Sequence, residues 1–207
     1  MYTQRKGEVP LEHYFTNNPY LKSEIKTITY EKENCRLSFK SDNGVFSKDK
    51  IDYGSSFLID TFIKHNDIEI KTGLDVGCGY GLIGIVLNKK LNIKFDMIDV
   101  NRRAVHLTEM NIKENKADCR SFQSDIYSNV DKKYDLVITN PPIRAGKKVL
   151  EDILINAQNY LNSDGRLWFV MRRDHGVKSM QATLDSYYET EIVAKSKGFY
   201  VVKSKIR

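Results

Sequence analysis

Apolar and polar positions first settle into a period of two at Lys26-Thr-Ile-Thr-Tyr-Glu31 and again at Arg36-Leu-Ser-Phe-Lys40. The two runs surround Lys32-Glu-Asn-Cys35, so a β-hairpin is expected, and Ser41-Asp-Asn-Gly44 closes it with a turn signal. Residues 1 to about 24 are polar, with Pro10, Pro19 and Asn17-Asn18, and read as an arm with at most one short helix. After Ser47 the period changes: Ile51, Leu58 and Phe62 recur at helical spacing and predict a helix over about 49–64.

From there strands and helices alternate. Strands are expected at 72–77, 93–99, 119–123, 134–139 and 165–171, and helices at 81–90, 102–115, 147–161 and 176–187. Such alternation predicts a parallel sheet covered by helices on both faces. The end breaks the pattern, because Glu191–Lys195 and Phe199–Lys203 are joined only by Ser196-Lys197-Gly198, a link that permits only an antiparallel pair. The expectation is an α/β fold with a mostly parallel Rossmann-like sheet and an antiparallel C-terminal hairpin. An arm and β-hairpin appendage occupy residues 1–45, and the main domain occupies 46–207.

Composition narrows the classes. A 207-residue chain with 41% hydrophobic and 11% aromatic content can bury one sizeable core. No run approaches the roughly 18 apolar residues of a membrane span, and the N-terminus lacks the apolar core of a signal peptide. Cys35, Cys78 and Cys119 lie far apart and the four histidines are scattered, so neither a disulfide framework nor a metal site is indicated. The chain reads as cytoplasmic and metal-free. A net charge of +6 suits an anionic partner. Lys195, Lys197, Lys203, Lys205 and Arg207 crowd the C-terminus, while Arg144, Lys147 and Lys148 follow the most distinctive stretch of the chain.

That stretch is Thr139-Asn140-Pro141-Pro142-Ile143-Arg144, at the end of an apolar strand. Neither proline has an N–H, both fix φ, and the first pushes Asn140 out of the α region. A rigid corner results, presenting an amide side chain and carbonyl oxygens. On its own it is either a plain turn or a grip on a donor group.

A second corner lies in Leu74-Asp75-Val76-Gly77-Cys78-Gly79-Tyr80-Gly81-Leu82-Ile83-Gly84, between the first sheet strand and its helix. Gly79-x-Gly81-x-x-Gly84 matches the dinucleotide fingerprint, with Asp99 following at the usual interval of about 20 residues. Asp75 argues against a pyrophosphate, since its carboxylate sits at the strand end where the phosphates would lie. A cofactor with an amino group and a sulfonium but no phosphate is the better electrostatic match, which describes S-adenosylmethionine. Asp99 can then accept from the ribose hydroxyls, or else cap the helix starting near Asn101, with Val100 beside it. Asp125 can accept from an adenine amino group with Ile126 packed on the ring, or else serve a turn. Cys78 reads as a small loop filler, not a nucleophile.

With a methyl donor opposite, the Asn140 side-chain oxygen and the Pro141 carbonyl can each accept one N–H of a planar amino group and aim its nitrogen. Such positioning is worth up to roughly 7–11 kcal/mol.

Gly-Val-Phe-Ser-x-x-x-Ile-Asp-x-Gly-Ser (44–55), Leu-Asp-Val-Gly-Cys-Gly-Tyr-Gly (74–81), Met-Ile-Asp-Val-Asn (97–101) and Asn-Pro-Pro-Ile-Arg-Ala-Gly-Lys (140–147) resemble the small class I methyltransferases. More narrowly, they resemble single-domain relatives of the small-subunit (16S) ribosomal RNA guanine 2-amino methyltransferases, the RsmC type. The resemblance implies S-adenosylmethionine as cofactor and ribosomal RNA or the small ribosomal subunit as partner. It implies Asn140, Pro141 and Pro142 as the catalytic corner.

Many Asn-Pro-Pro enzymes carry Tyr or Phe after the second proline, where this chain has Ile143. Phe46 and Tyr53 are therefore candidate stacking residues, or else core aromatics. Arg144, Lys147 and Arg172 are candidates for phosphate contacts. Two other readings stay open: methylation of a glutamine side-chain amide in a protein, and an RNA-binding assembly factor without activity.

Overall fold

The computed structural model describes residues 22–207, so most of the expected N-terminal arm lies outside the described residues. Strands β1 (Lys26–Lys32) and β2 (Cys35–Ser41) form the expected antiparallel hairpin. Its inward residues Ile28, Tyr30, Leu37 and Phe39 are buried. Then follow α1 (Tyr53–His65), β3 (Thr72–Val76), α2 (Leu82–Leu91), β4 (Lys94–Asp99) and α3 (Arg102–Glu114). The chain continues through β5 (Cys119–Gln123), β6 (Tyr134–Thr139), α4 (Lys147–Asn156), β7 (Leu161–Arg172), α5 (Val177–Leu184), β8 (Tyr188–Ser196) and β9 (Phe199–Ile206).

Strands β3 to β9 make one seven-stranded sheet in the order β5-β4-β3-β6-β7-β9-β8. The β3/β4, β4/β5, β3/β6 and β6/β7 pairs are parallel, and β9 runs antiparallel between β7 and β8. The α/β expectation and its closing hairpin are both met. Alternation along each strand splits the core in two. Phe95, Met97, Ile138 and Trp168 pack with α1, α2, α3 and the N-terminal hairpin. Leu74, Val76, Val137 and Phe169 pack with α4 and α5 on the other face.

The chain moves outward from β3 through β4 to β5, then returns to place β6 on the other side of β3. Crossovers diverge at that point, leaving a crevice beyond the carboxyl ends of β3 and β6, where open α/β sheets bind ligands. The glycine loop ends β3 and the Asn-Pro-Pro corner ends β6, so both motifs face one crevice.

Side-chain amides fix the N-terminal hairpin beside it. Asn111 on α3 and Asn115, the C-cap residue one turn further on, act as a substitute strand for the outer edge of β2. Asn111 accepts from the Lys40 N–H at 2.6 Å and donates to its carbonyl at 2.9 Å, and Asn115 does the same for Ser38 at 3.1 and 2.8 Å. The edge is thereby paired without another strand.

Some boundaries differ from those expected. Helix α1 starts at Tyr53, not near 49, because Asp52 has extended φ/ψ of −67° and 135° and accepts from the Ser55 N–H at 2.7 Å, as an N-cap does. Helix α4 stops at Asn156, followed by a 3-10 turn over Ala157–Tyr160. Near its end the buried Tyr188 hydroxyl donates to the Leu154 and Ile155 carbonyls, at 2.9 and 3.1 Å. Strand β7 extends beyond the expected 165–171 at its N-terminal side, and α5 ends at Leu184 instead of 187. Among the described residues no helix is long and apolar enough to cross a membrane.

Candidate active site

At the end of β6 the Thr139 hydroxyl donates to the Val76 carbonyl at 2.7 Å and ties the corner to β3. The Asn140 side-chain nitrogen donates to Asp52 Oδ2 at 3.0 Å and to the Ser55 hydroxyl at 2.9 Å. A carboxylate only accepts, so this pairing fixes which end of the amide is nitrogen. Both N–H groups are used, and the Asn140 oxygen is left as an acceptor. The Pro142 carbonyl takes the Ala145 N–H at 2.9 Å within a 3-10 turn over Ile143–Ala145. Among the described residues no donor reaches the Pro141 carbonyl. The corner therefore offers two acceptors, Asn140 Oδ1 and the Pro141 oxygen, on a frame that cannot rotate freely.

The glycine loop is folded back over β4. The Gly77 and Cys78 N–H groups donate to the Ile98 carbonyl at 2.8 and 3.0 Å, and the Gly79 N–H donates to Asp99 Oδ2 at 3.0 Å. Gly79 and Gly81 sit at φ of 59° and 86°, backbone that other residues rarely adopt. Gly84 answers to packing: a Cβ there would lie 2.5 Å from Met97 Sδ. The third glycine of the fingerprint thus seats α2 on the sheet.

Asp75 lies fully buried beneath this loop. Its Oδ2 accepts from the Gly84 N–H at 3.2 Å, while its buried Oδ1 has no partner among the described residues. The structure thus holds Asp75 below the cavity wall, not on it, and it acts on the loop through α2. Burial pushes its carboxyl up to about 7, opposed by the Gly84 N–H. Asp99 is pushed up to about 6 by burial, against the N–H groups of Asn101, Gly79 and Val100. Burial holds the Cys78 thiol well above the ordinary range, with its sulfur 3.6 Å from the Thr108 hydroxyl, so it is no nucleophile.

A carboxyl whose folded pKa lies above its unfolded one lends stability at low pH and loses it as pH rises through the folded value. For Asp75 that window runs from about 4 to about 7. Asp75→Asn is expected to melt several degrees above the ligand-free wild type at pH 8 and level with it only near pH 4, by paired thermal melts. A gain that does not change with pH would refute the assignment.

Between the two corners lies a cavity of about 460 Å³, within the size range of small-molecule sites. Gly77, Cys78, Gly79, Asp99, Val100, Asp125 and Ile126 line one end, and Asn140, Pro141, Pro142, Ile143, Arg144 and Arg172 the other. Ile126 has φ of 51°, a left-handed conformation that costs a β-branched residue about 1–3 kcal/mol. The Ser124 hydroxyl holds it there by donating to its carbonyl at 2.9 Å. The Asp99 oxygens each take one backbone N–H, from Gly79 and Asn101, and each keeps a lone pair. Asn101 itself caps α3 by accepting from the Arg103 N–H.

Among the described residues, the glycine-loop end of the wall therefore carries the carboxylates of Asp99 and Asp125, with the orphaned Asp75 oxygen below, and no Lys or Arg. A pyrophosphate would meet like charge from these carboxylates there. A cationic adenosyl group with a free amine meets acceptors and the apolar Val100 and Ile126, so the residues present fit S-adenosylmethionine.

The remaining candidate residues divide between the wall and its surroundings. Phe46 lines the wall and is 55% exposed. Its loop is clamped to α3, where Asn101 donates to the Gly44 carbonyl at 3.0 Å and Arg103 pairs with Asp42 at 3.2 Å. Tyr53 is not on the wall: its ring packs between Phe57 and Phe199, centroids 5.9 and 5.6 Å away, and its hydroxyl donates to Ser196 or accepts from it at 2.7 Å. Lys147 is exposed outside the wall and pairs with Glu151. Gly81 caps α2 behind the loop.

Arg172 pairs with Asp174 at 2.9 Å and lies over the Phe199 ring, and Lys197 lies 4.7 Å from the Tyr53 ring centroid. The C-terminal crowd is not one patch, because Lys203 is paired with Asp67 and Glu191 and Arg207 donates to backbone carbonyls. Wall residues that the sequence reading missed include Asp52, Ser55, His175 and Phe199. For Asp52 and Ser55 the signal was in the motif Ile51-Asp52-x-Gly54-Ser55, an N-cap pattern at the start of a helix.

Similarity to known proteins agrees with this arrangement. A Bacillus subtilis (strain 168) protein described as uncharacterized protein YbxB is 41% identical over 200 residues, 94% of this chain and 98% of that one. Ribosomal RNA small subunit methyltransferase C of Photorhabdus laumondii is 33% identical over 155 residues, 69% of this chain but 45% of its own length. The chain spans about half the length of those methyltransferase C relatives. Among solved structures, the T. thermophilus 16S rRNA N2 G1207 methyltransferase (RsmC), in complex with AdoMet and guanosine, superposes with a TM-score of 0.81 over 91% of this chain and 52% of that one, at 19% identity. A Lactobacillus delbrueckii ribosomal protein L11 methylase gives 0.63 over 76% of this chain and 84% of that one, at 20% identity. Residues 36–203 match the methyltransferase small domain, and the chain belongs to that family of S-adenosylmethionine-dependent methyltransferases.

Proposed function

We propose that the protein methylates the exocyclic 2-amino group of a guanine in small-subunit ribosomal RNA. The observation that carries the reading is the locked Asn140 amide on the cavity wall, whose nitrogen is held by Asp52 and Ser55 so that its oxygen is left as an acceptor. S-adenosylmethionine supplies an electrophilic methyl group when bound.

The chain's own part is positioning. Asn140 Oδ1 accepts one N–H of the amino group and the Pro141 carbonyl the other. The nitrogen lone pair, otherwise delocalised into the ring, is aimed at the methyl. As the N–C bond forms the S–C bond breaks, and the amine proton leaves afterwards to solvent, so no dedicated base is needed. The acceptor base must be unpaired or turned out of its helix to reach the corner.

The name and match of the methyltransferase C relatives support an RNA acceptor. So does the mouth, where Arg144 and Arg172 stand with Phe46 and Phe199, a mixture that suits phosphates and unstacked bases. Phe46 is the stacking residue in this reading, taking the part that Ile143 cannot. Phe46→Ala is expected to raise KM for RNA about tenfold with melting temperature and cofactor affinity unchanged, in keeping with about 1–3 kcal/mol per stacked base. An unchanged KM removes Phe46 from the role.

A glutamine amide would fit the same two acceptors but has no use for the cationic, aromatic mouth. An assembly factor without activity would have no use for a locked Asn140. Tritiated-methyl transfer to undermodified small-subunit RNA or subunits, run beside a glutamine-bearing acceptor protein, separates the three. Label in RNA alone is expected; label in the protein alone, or in neither while the cofactor still binds, overturns the proposal.

A further inference from the structure

The two acceptors of the corner hold any planar amino group, on adenine, cytosine, guanine or an amide. They do not by themselves choose guanine. A third acceptor lies next to them. Asp52 lines the same cavity, and its contacts to the Ser55 N–H at 2.7 Å and to Asn140 Nδ2 at 3.0 Å both use Oδ2. Among the described residues Oδ1 carries no hydrogen bond. The carboxylate cannot swing away, because it caps α1 and holds Asn140 at once.

We propose that Asp52 is the residue that selects guanine, by accepting the ring N1–H beside the 2-amino group held by Asn140. This rests on the guanine reading above and deepens it. Guanine presents N1–H and the 2-amino hydrogens side by side, an uninterrupted row of donors. Asp52 and Asn140, joined by one hydrogen bond, present a matching row of acceptors. Adenine and cytosine instead carry an unprotonated ring nitrogen next to the amino group, and its lone pair would face the Asp52 oxygen. A glutamine amide has no second donor group there, so Asp52 also disfavours the competing acceptor. A site that leaves a buried polar group unpaired rejects the analogue far more strongly than one that only leaves space.

The test uses 2-aminopurine, which keeps the 2-amino group but bears no hydrogen on N1. Modified small-subunit RNA is mapped first, and synthetic RNAs of the mapped segment are then made with guanine or 2-aminopurine at the target. For the wild type, kcat/KM is expected to favour guanine by at least about a hundredfold, because a site built to hydrogen-bond a substrate N–H rejects strongly the analogue that lacks it. In Asp52→Asn the amide oxygen keeps the cap and the Asn140 contact, and its NH₂ takes the place of Oδ1. Asparagine caps a helix as well as aspartate does, so the melting temperature should stay within a few degrees. The preference should fall to within about tenfold, because a donor now faces the bare N1 of 2-aminopurine and opposes the N1–H of guanine.

A purely structural Asp52 would lower both rates together and leave the ratio unchanged. That result, or a wild type that methylates both RNAs equally, overturns the proposal while leaving guanine methylation in place. A wild type that methylates no guanine in small-subunit RNA overturns the acceptor reading and this one with it.

Discussion

Replacing Asn140 with alanine is expected to lower methyl transfer by about a thousandfold or more while leaving cofactor affinity within about threefold of the wild type. The size follows from what is removed. One of two fixed acceptors for the amine disappears, and loss of one preorganised polar group at a reacting centre costs about 10²–10³ in kcat. Misplacement of the nitrogen adds to this, since a shift of about 1 Å can cost 10²-fold. Asp52 and Ser55 also lose their shared partner, so the start of α1 loosens. Cofactor titration and single-turnover transfer separate the two effects. Retained turnover would show that the Pro141 carbonyl alone orients the acceptor. A parallel loss of cofactor binding would move Asn140 to the cofactor side of the cavity.

The second large effect belongs to Asp99. Asp99→Ala removes the carboxylate that receives the Gly79 and Asn101 N–H groups and presents its remaining lone pairs to the cavity. Two charge-assisted contacts are at stake, each worth about 1.5–3 kcal/mol, so the cofactor dissociation constant should rise at least about a hundredfold. Because burial places its carboxyl near 6, wild-type affinity should also weaken as pH falls from about 7 to 5 and Asp99 takes up a proton. Asp99→Asn should flatten that slope between pH 5 and 6.5. Calorimetric titration across this range checks both statements. An affinity insensitive to the alanine change would mean that Asp99 serves only to close the loop.

Much of this is legible in the sequence alone. Two prolines after a strand force a corner whatever the tertiary context, and the glycine run after β3 permits only a tight loop. Both are local facts. The acceptor triad was not local: Asn140 and Asp52 are 88 positions apart, and the link appears only when the start of α1 is laid against the end of β6. Tyr53 is an aromatic near a motif, but the cap at Asp52 sets the phase of α1, and Tyr53 packs against Phe57 and Phe199 instead of the wall. Asp75 looked like a wall residue because it ends a strand. Strand alternation turns it inward, and its charge reaches the site only through the loop above it. The C-terminal lysines looked like a patch in sequence, yet cross-strand pairing sets Lys203 against Glu191.

The most direct test is to compare the modified nucleotides of small-subunit ribosomal RNA from cells with and without this protein, and then to restore the missing mark with the purified enzyme. The geometry predicts that one 2-methylguanosine disappears, that wild-type protein with S-adenosylmethionine restores it, and that Asn140→Ala does not. An unchanged set of guanine modifications in the deficient cells, with the purified protein still binding its cofactor, would contradict the account.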